Sequence, residues 1–154
     1  TTEIYTLSLH DALPIWDFSG YTTEVNTTKS GFTENYDGLT IAIANNGADS
    51  DHDKITTAGV YWRGGAASGE SVRYIAFTPE KDGTLTASGK MKTSGGRWGF
   101  STSKDVGTLK ADGSSSTSTS ESTVTIQCTA GTTYYIINKS KAATINNISY
   151  TPSE

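Results

Sequence analysis

The chain has 154 residues, with 12 Lys and Arg against 16 Asp and Glu, a formal net charge of −4, and 16 glycines against 3 prolines. That size suits one ordinary domain, long enough to bury a core. The slightly acidic balance argues against nucleic acid as a partner, since phosphates call for a basic field. No apolar run approaches the ~18 residues that cross a bilayer as a helix, and no membrane partner is expected.

In chain order, Thr1 to Ile15 (TTEIYTLSLHDALPI) resembles a translated sequencing adapter. Written back into codons, it reproduces a common short-read library oligonucleotide in one frame. The segment is therefore expected to be a scar outside the fold, and the rest to derive from fragmentary, metagenomic DNA. On that reading a native signal peptide would have been lost with the true N-terminus. Dropping Glu3 and Asp11 leaves 14 acidic against 12 basic residues, a net charge of −2. His10 belongs to the scar, so His52 is the one remaining imidazole.

Residues 16–152 are then expected to form a single domain, with 153–154 beginning a linker or C-terminus. WDFSGY reads as a short edge strand, followed by a polar loop through Thr33. The Tyr36–Asp37–Gly38 turn launches LTIAIAN, where Leu39, Ile41 and Ile43 alternate with Thr40 and Ala42. ADSDHD is a polar loop, and KITTAGVYWR (54–63) reads as one strand. SVRYIAFT sets Arg73, Ile75 and Phe77 against Val72, Tyr74 and Ala76, and Pro79 stops it. Lys81–Asp82–Gly83 turns into GTLTASGKMK, with Leu85, Ala87, Gly89 and Met91 on one face and Thr86, Ser88, Lys90 and Lys92 on the other. Ser94–Gly95–Gly96 turns into RWGFSTS. DGSSSTSTSES is low in complexity and reads as a long exposed loop. STVTIQCTA, TTYYIINK and AATINNISYT close the chain as strands.

Eight or nine short strands at 8–12-residue spacing, with no amphipathic helix between them, predict an all-β antiparallel sandwich of jelly-roll or Greek-key type. Cys128, the single cysteine, falls at an inward position and is expected to be a small buried hydrophobe.

The chemistry-bearing residues are few. A nucleophilic or acid–base enzyme needs a tuned base beside its nucleophile, yet His52 lies in an acidic loop. Most carboxylates sit in turns such as Asp37–Gly38, Asp82–Gly83 and Asp112–Gly113. Catalysis is therefore not expected. Asp49, Asp51 and Asp53 alternate and offer oxygen ligands to a structural Ca²⁺, but without the glycine and distal glutamate of an EF-hand. Arg73 is expected to be a structural guanidinium at the core rim or a ligand contact. Alternation puts Tyr61 and Arg63 opposite Val60 and Trp62, and Arg97 opposite Trp98 and Phe100. Trp62 and Trp98 are either core residues or sugar-stacking platforms. Lys90 and Lys92, then Arg97 across the Gly-Gly turn, with Arg63, Tyr61, Thr86 and Ser88, suggest a basic, hydroxyl-rich strip.

YDGLTI, YWRGG and VRYIAFTPEKDGTLTASG together resemble the non-catalytic β-sandwich modules attached to secreted bacterial pectate lyases and other polysaccharide-degrading enzymes. The resemblance runs through Tyr36–Leu39, Arg73–Pro79, Gly83–Thr86 and the terminal ATINNISY, covering about Trp16 to Pro152. It implies a monomeric, extracellular carbohydrate-binding module linked to a catalytic domain. Pectin-binding examples are similar in setting lysines and arginines against galacturonate carboxylates. For this chain the expected ligand residues are Lys90, Lys92, Arg97, Arg63, Tyr61 and Trp98, with no cofactor beyond a structural Ca²⁺. The other classes to weigh are a structural spacer or adhesin-like module without a ligand, and a lyase or hydrolase.

Overall fold

A computed structural model describes residues 14–21, 25–26, 32–44 and 51–154. Thr1 to Leu13 and Asp49 lie outside the described residues.

Two antiparallel sheets face each other. Sheet I contains β1 (Ile15–Trp16), β2 (Val25–Asn26), β5 (Lys54–Thr56), β6 (Gly59–Trp62), β8 (Gly83–Met91), β11 (Ser122–Cys128) and β13 (Ala143–Pro152). Their order is β11-β8-β13-β6-β5-β2, and β1 pairs with β13 beyond the end of β6. Sheet II contains β3 (Phe32–Tyr36), β4 (Leu39–Ile43), β7 (Tyr74–Phe77), β9 (Arg97–Ser101), β10 (Ser115–Ser116) and β12 (Tyr134–Lys139), in the order β10-β9-β12-β7-β4-β3. The all-β sandwich is as expected, but with thirteen described strands instead of eight or nine.

Period-2 alternation builds the core. Leu85, Ala87 and Met91 of β8 meet Ile41, Ile75, Ile136 and Phe100 from the opposite sheet in one apolar cluster. Cys128 is buried within it. In β13 the inward set changes parity: Ala143 and Ile145, then Ile148 and Tyr150. The register shifts between Ile145 and Asn147. A bulge there adds one residue and so returns the following apolar side chains to the core.

Two expectations along the chain are corrected. Lys54–Arg63 is not one strand but the β5–β6 hairpin, with Ile55 opposite Val60 and Thr56 opposite Gly59. Gly59 has φ +116°, and its Cα faces the carbonyl of Ile145 on β13 with no room for a Cβ, so only glycine lets β6 approach so closely. The serine-rich loop also contains β10, which pairs with β9.

At the N-terminal side, the Pro14 carbonyl accepts a 3.1 Å hydrogen bond from the Tyr150 amide. Ile15 lies opposite Ser149 with its side chain 63% exposed. These two adapter-like residues thus join sheet I through backbone pairing with β13. Among the described residues, no helix is long and apolar enough to cross a membrane.

Candidate functional site

The outward face of sheet I carries most of the expected strip. Lys54 of β5 is opposite Tyr61 of β6, Tyr61 is opposite Thr144 of β13, and Thr144 is opposite Lys90 of β8. Four strands at about 4.8 Å spacing make this row about 14 Å long. Beside it, β8 and β11 present facing hydroxyls and an amide: Ser88 with Thr123 at 3.0 Å, Thr86 with Thr125 at 3.4 Å, and Thr84 donating to Gln127 at 3.3 Å.

Tyr61 is the centre of the row. The Lys54 and Lys92 ammonium groups stand 5.5 and 5.6 Å from its ring centroid, within cation–π range. Its hydroxyl donates to Asp51 at 3.0 Å and accepts from Lys92 at 3.2 Å, and Lys92 also donates to Asp51 at 3.3 Å. Desolvation pushes the Asp51 carboxyl up, but the hydrogen bonds from Tyr61 and Lys92 outweigh it and hold the group below its ordinary value. The bonds with Tyr61 and then Asp51 hold the Lys92 ammonium above its own. Burial, assisted by Asp51, raises the Tyr61 phenol. Arg63 is exposed and near enough to act electrostatically on Asp51. Lys54 is a member that alternation alone did not reveal, because the turn inside 54–63 was not recognised.

Arg97 and Trp98 are elsewhere. Both edges of β8 are already taken, by β11 and β13, so the chain after Lys92 passes to sheet II instead of returning as a hairpin. Arg97 lies there opposite Lys139, donating to the Ser115 hydroxyl at 2.6 Å and the Lys110 carbonyl at 3.3 Å. Lys90, Lys92 and Arg97 therefore do not share a sheet face. Trp98 is fully buried, as is Trp62, whose indole N–H donates to the Ala42 carbonyl at 3.3 Å. Both tryptophans are core, and neither offers a ring to a sugar.

The aspartates considered for calcium have separate tasks. Asp53 is fully buried, and its two oxygens accept from the Ala44 amide, the Arg63 amide and Arg73 Nε, each at 2.8 Å. A cation held by Asp51 and Asp53 together would have to break this anchor. Of the two roles left open for Arg73, the structure shows the structural one, with the buried Asp53 carboxylate as a partner. No cluster of three His, Cys, Asp or Glu poised for a metal occurs among the described residues.

No protein-family profile matches the chain, and no curated protein sequence matches it. Solved structures similar to it include the C-terminal CBM6 of LamC, a marine laminarinase from Zobellia galactanivorans, at 12% identity and TM-score 0.36, covering 91% of this chain and 99% of that one. A CBM35 from Paenibacillus barcinonensis has 16% identity and TM-score 0.37, covering 85% and 99%. BiXyn10A CBM1 has 13% identity and TM-score 0.35, covering 91% and 97%. Likeness at that level carries no argument about this chain's ligand.

Proposed function

We propose that this chain is a non-catalytic carbohydrate-binding module that tethers a larger secreted enzyme to plant cell-wall polysaccharide. The proposed ligand is an anionic glycan of the homogalacturonan type. The observation that carries the reading is Tyr61, bracketed by Lys54 and Lys92 beside Asp51, on an outward face that also presents Lys90 and rows of hydroxyls. Lys54, Lys90, Lys92 and Arg63 would pair with uronate carboxylates, Tyr61 would contact the sugar, and the Ser/Thr rows would bond to its hydroxyls. Arg97 is withdrawn from this set, since it belongs to the other sheet. The resemblance of YDGLTI, YWRGG and VRYIAFTPEKDGTLTASG to modules of pectate lyases points the same way. A ligand-free spacer is the second reading, favoured by the engagement of Lys92 with Asp51.

Calorimetric titration with polygalacturonate is the test. Exposed ion pairs contribute ~1 kcal/mol or less each, so several must act together, and a Kd between about 1 mM and 1 μM is expected. Affinity should fall between ~10 and ~500 mM salt as the screening length shortens. Lys92→Ala and Lys54→Ala should each weaken binding while leaving the melting temperature in place. Absence of binding at low salt, or indifference to both substitutions, would leave the spacer reading.

A further inference from the structure

Sheet II has its own outward pocket, of about 260 Å³, lined by Gly38, Thr40, Ala76, Thr78 and Thr133 with Tyr74, Phe77, Tyr135 and Lys104. Pairing explains why these residues meet. Ala76 of β7 lies opposite Thr40 on one side and Tyr135 on the other, so the smallest side chain forms the floor. Tyr74, two residues along β7, rises on the same face and meets Tyr135 edge to face at 5.6 Å. The Thr78 and Thr133 hydroxyls meet at 2.8 Å along the rim.

Lys104 completes the pocket from above. Its ammonium lies 4.8 Å from the Tyr74 ring centroid and 5.8 Å from that of Tyr135. The backbone carrying it is fixed on both sides. The Lys104 carbonyl accepts from the Ser71 amide at 2.8 Å, the Asp105 amide donates to the Ser103 hydroxyl at 3.1 Å, and the buried Val106 donates its amide to Gly69 at 3.0 Å. Lys92 in sheet I is bound to a carboxylate. By contrast, no described carboxylate is within ion-pair distance of Lys104, which is also the only charged residue lining the pocket. Its charge is set against two π faces and solvent.

We infer that this pocket is a second glycan-binding site, on the opposite face from Tyr61, which takes a single acidic pyranose, a uronate at a chain end. Its volume lies just below the range of drug-sized sites, which suits one sugar and not an extended chain. As the Lys104 ammonium turns from the rings to the carboxylate of the sugar, the tyrosine faces accept the apolar side of the pyranose and the threonine hydroxyls its hydroxyls. Because the loop is already ordered, closing on the sugar costs little further entropy. The inference rests on the proposed function for its ligand class only, and its geometry is independent of the sheet I row.

The test is an NMR amide titration of the full chain with D-galacturonic acid, with D-galactose as the neutral comparison. Galacturonate should shift the Ala76, Thr133 and Tyr135 amides with millimolar affinity. Lys104→Met should weaken it about three- to fivefold and bring it level with galactose. Tyr135→Ala should abolish the shifts, and if that variant is unfolded, Lys104→Met decides alone. Tyr61→Ala should leave monosaccharide binding unchanged while weakening polygalacturonate. No shifts at the pocket, or shifts indifferent to Lys104→Met, overturn the second site, and if polygalacturonate still needs Tyr61, the sheet I proposal survives. Pocket binding of galacturonate without any polygalacturonate response to Tyr61→Ala would instead keep this site and sink the other.

Discussion

Asp51 and Asp53 are two positions apart, yet one is half exposed and bonds to Tyr61 and Lys92, while the other is sealed against Arg73 and two amides. Asp53→Ala would remove the carboxylate shared by the Arg73 guanidinium and the Ala44 and Arg63 amides. Losing one partner of a buried pair costs about 3–5 kcal/mol, and thermal unfolding followed by circular dichroism should show the loss. Asp51→Asn has the opposite expectation for binding. It removes the anion that competes for Lys92, so polygalacturonate affinity should rise, by up to about fivefold given the ~1 kcal/mol ceiling for exposed pairs. A calcium-bridged ligand would bind more weakly instead, and titration with and without chelator separates the two. The pH dependence follows from the shifts. Asp51, held low, keeps its interaction above the ordinary carboxylate value and loses it only as pH falls through its depressed value. Lys92, held high, keeps its charge below the ordinary lysine value and loses it as pH rises through its raised one. Affinity measured between about pH 5 and about pH 9 should therefore be flat.

Among the elements, the β5–β6 hairpin is the one on which the sheet I row depends most, because it places both Lys54 and Tyr61. Gly59→Ala would put a side chain in left-handed backbone against β13. A cost of at least about 1–3 kcal/mol is expected, read as a melting temperature lower by several degrees with polygalacturonate binding weakened alongside. This hairpin also marks how far the sequence can be read. Alternation identified β4, β7 and β8 with their inward faces, and β11, β12 and β13 as strands, whereas the parity change at the β13 bulge has no signal in a period of two. It passed through Thr57–Ala58 without seeing a turn, because neither residue is a strong turn former. Tyr61, Lys90 and Lys92 were legible as one outward face, whereas Arg97 was misplaced because local spacing says nothing about which sheet receives a strand. The pocket of Tyr74, Tyr135 and Lys104 had no local signal at all. It exists because β7 pairs with β12, strands separated by more than a third of the chain.

At the scale of the whole molecule, the proposed row and pocket occupy opposite outer faces of one sandwich, separated by the core. Pro14 and Ile15, the described residues of the adapter-like segment, meet β13 at Tyr150 and Ser149. A chain starting at Pro14 keeps the Tyr150 hydrogen bond and the Ile15 pairing. It should unfold cooperatively within a few degrees of the full chain. A chain starting at Trp16 loses both, and calorimetry of the pair measures what that backbone edge contributes. Cooperative unfolding lost already at Pro14 would show that the preceding residues belong to the fold.

The last strand in the sequence is also the central one in sheet I. β13 fills the gap between β8 on one side and β6 with β1 on the other. During synthesis, β8 and β6 must therefore wait with open edges until residues 143–152 emerge, and these pairings span long stretches of chain. Such topology folds slowly and exposes strand edges that recruit other chains. Thr144 also joins Tyr61 to Lys90, so a nascent chain holds the lysines of sheet I before it holds the surface that lines them up. The face proposed to bind glycan is therefore assembled only when β13 joins the sheet.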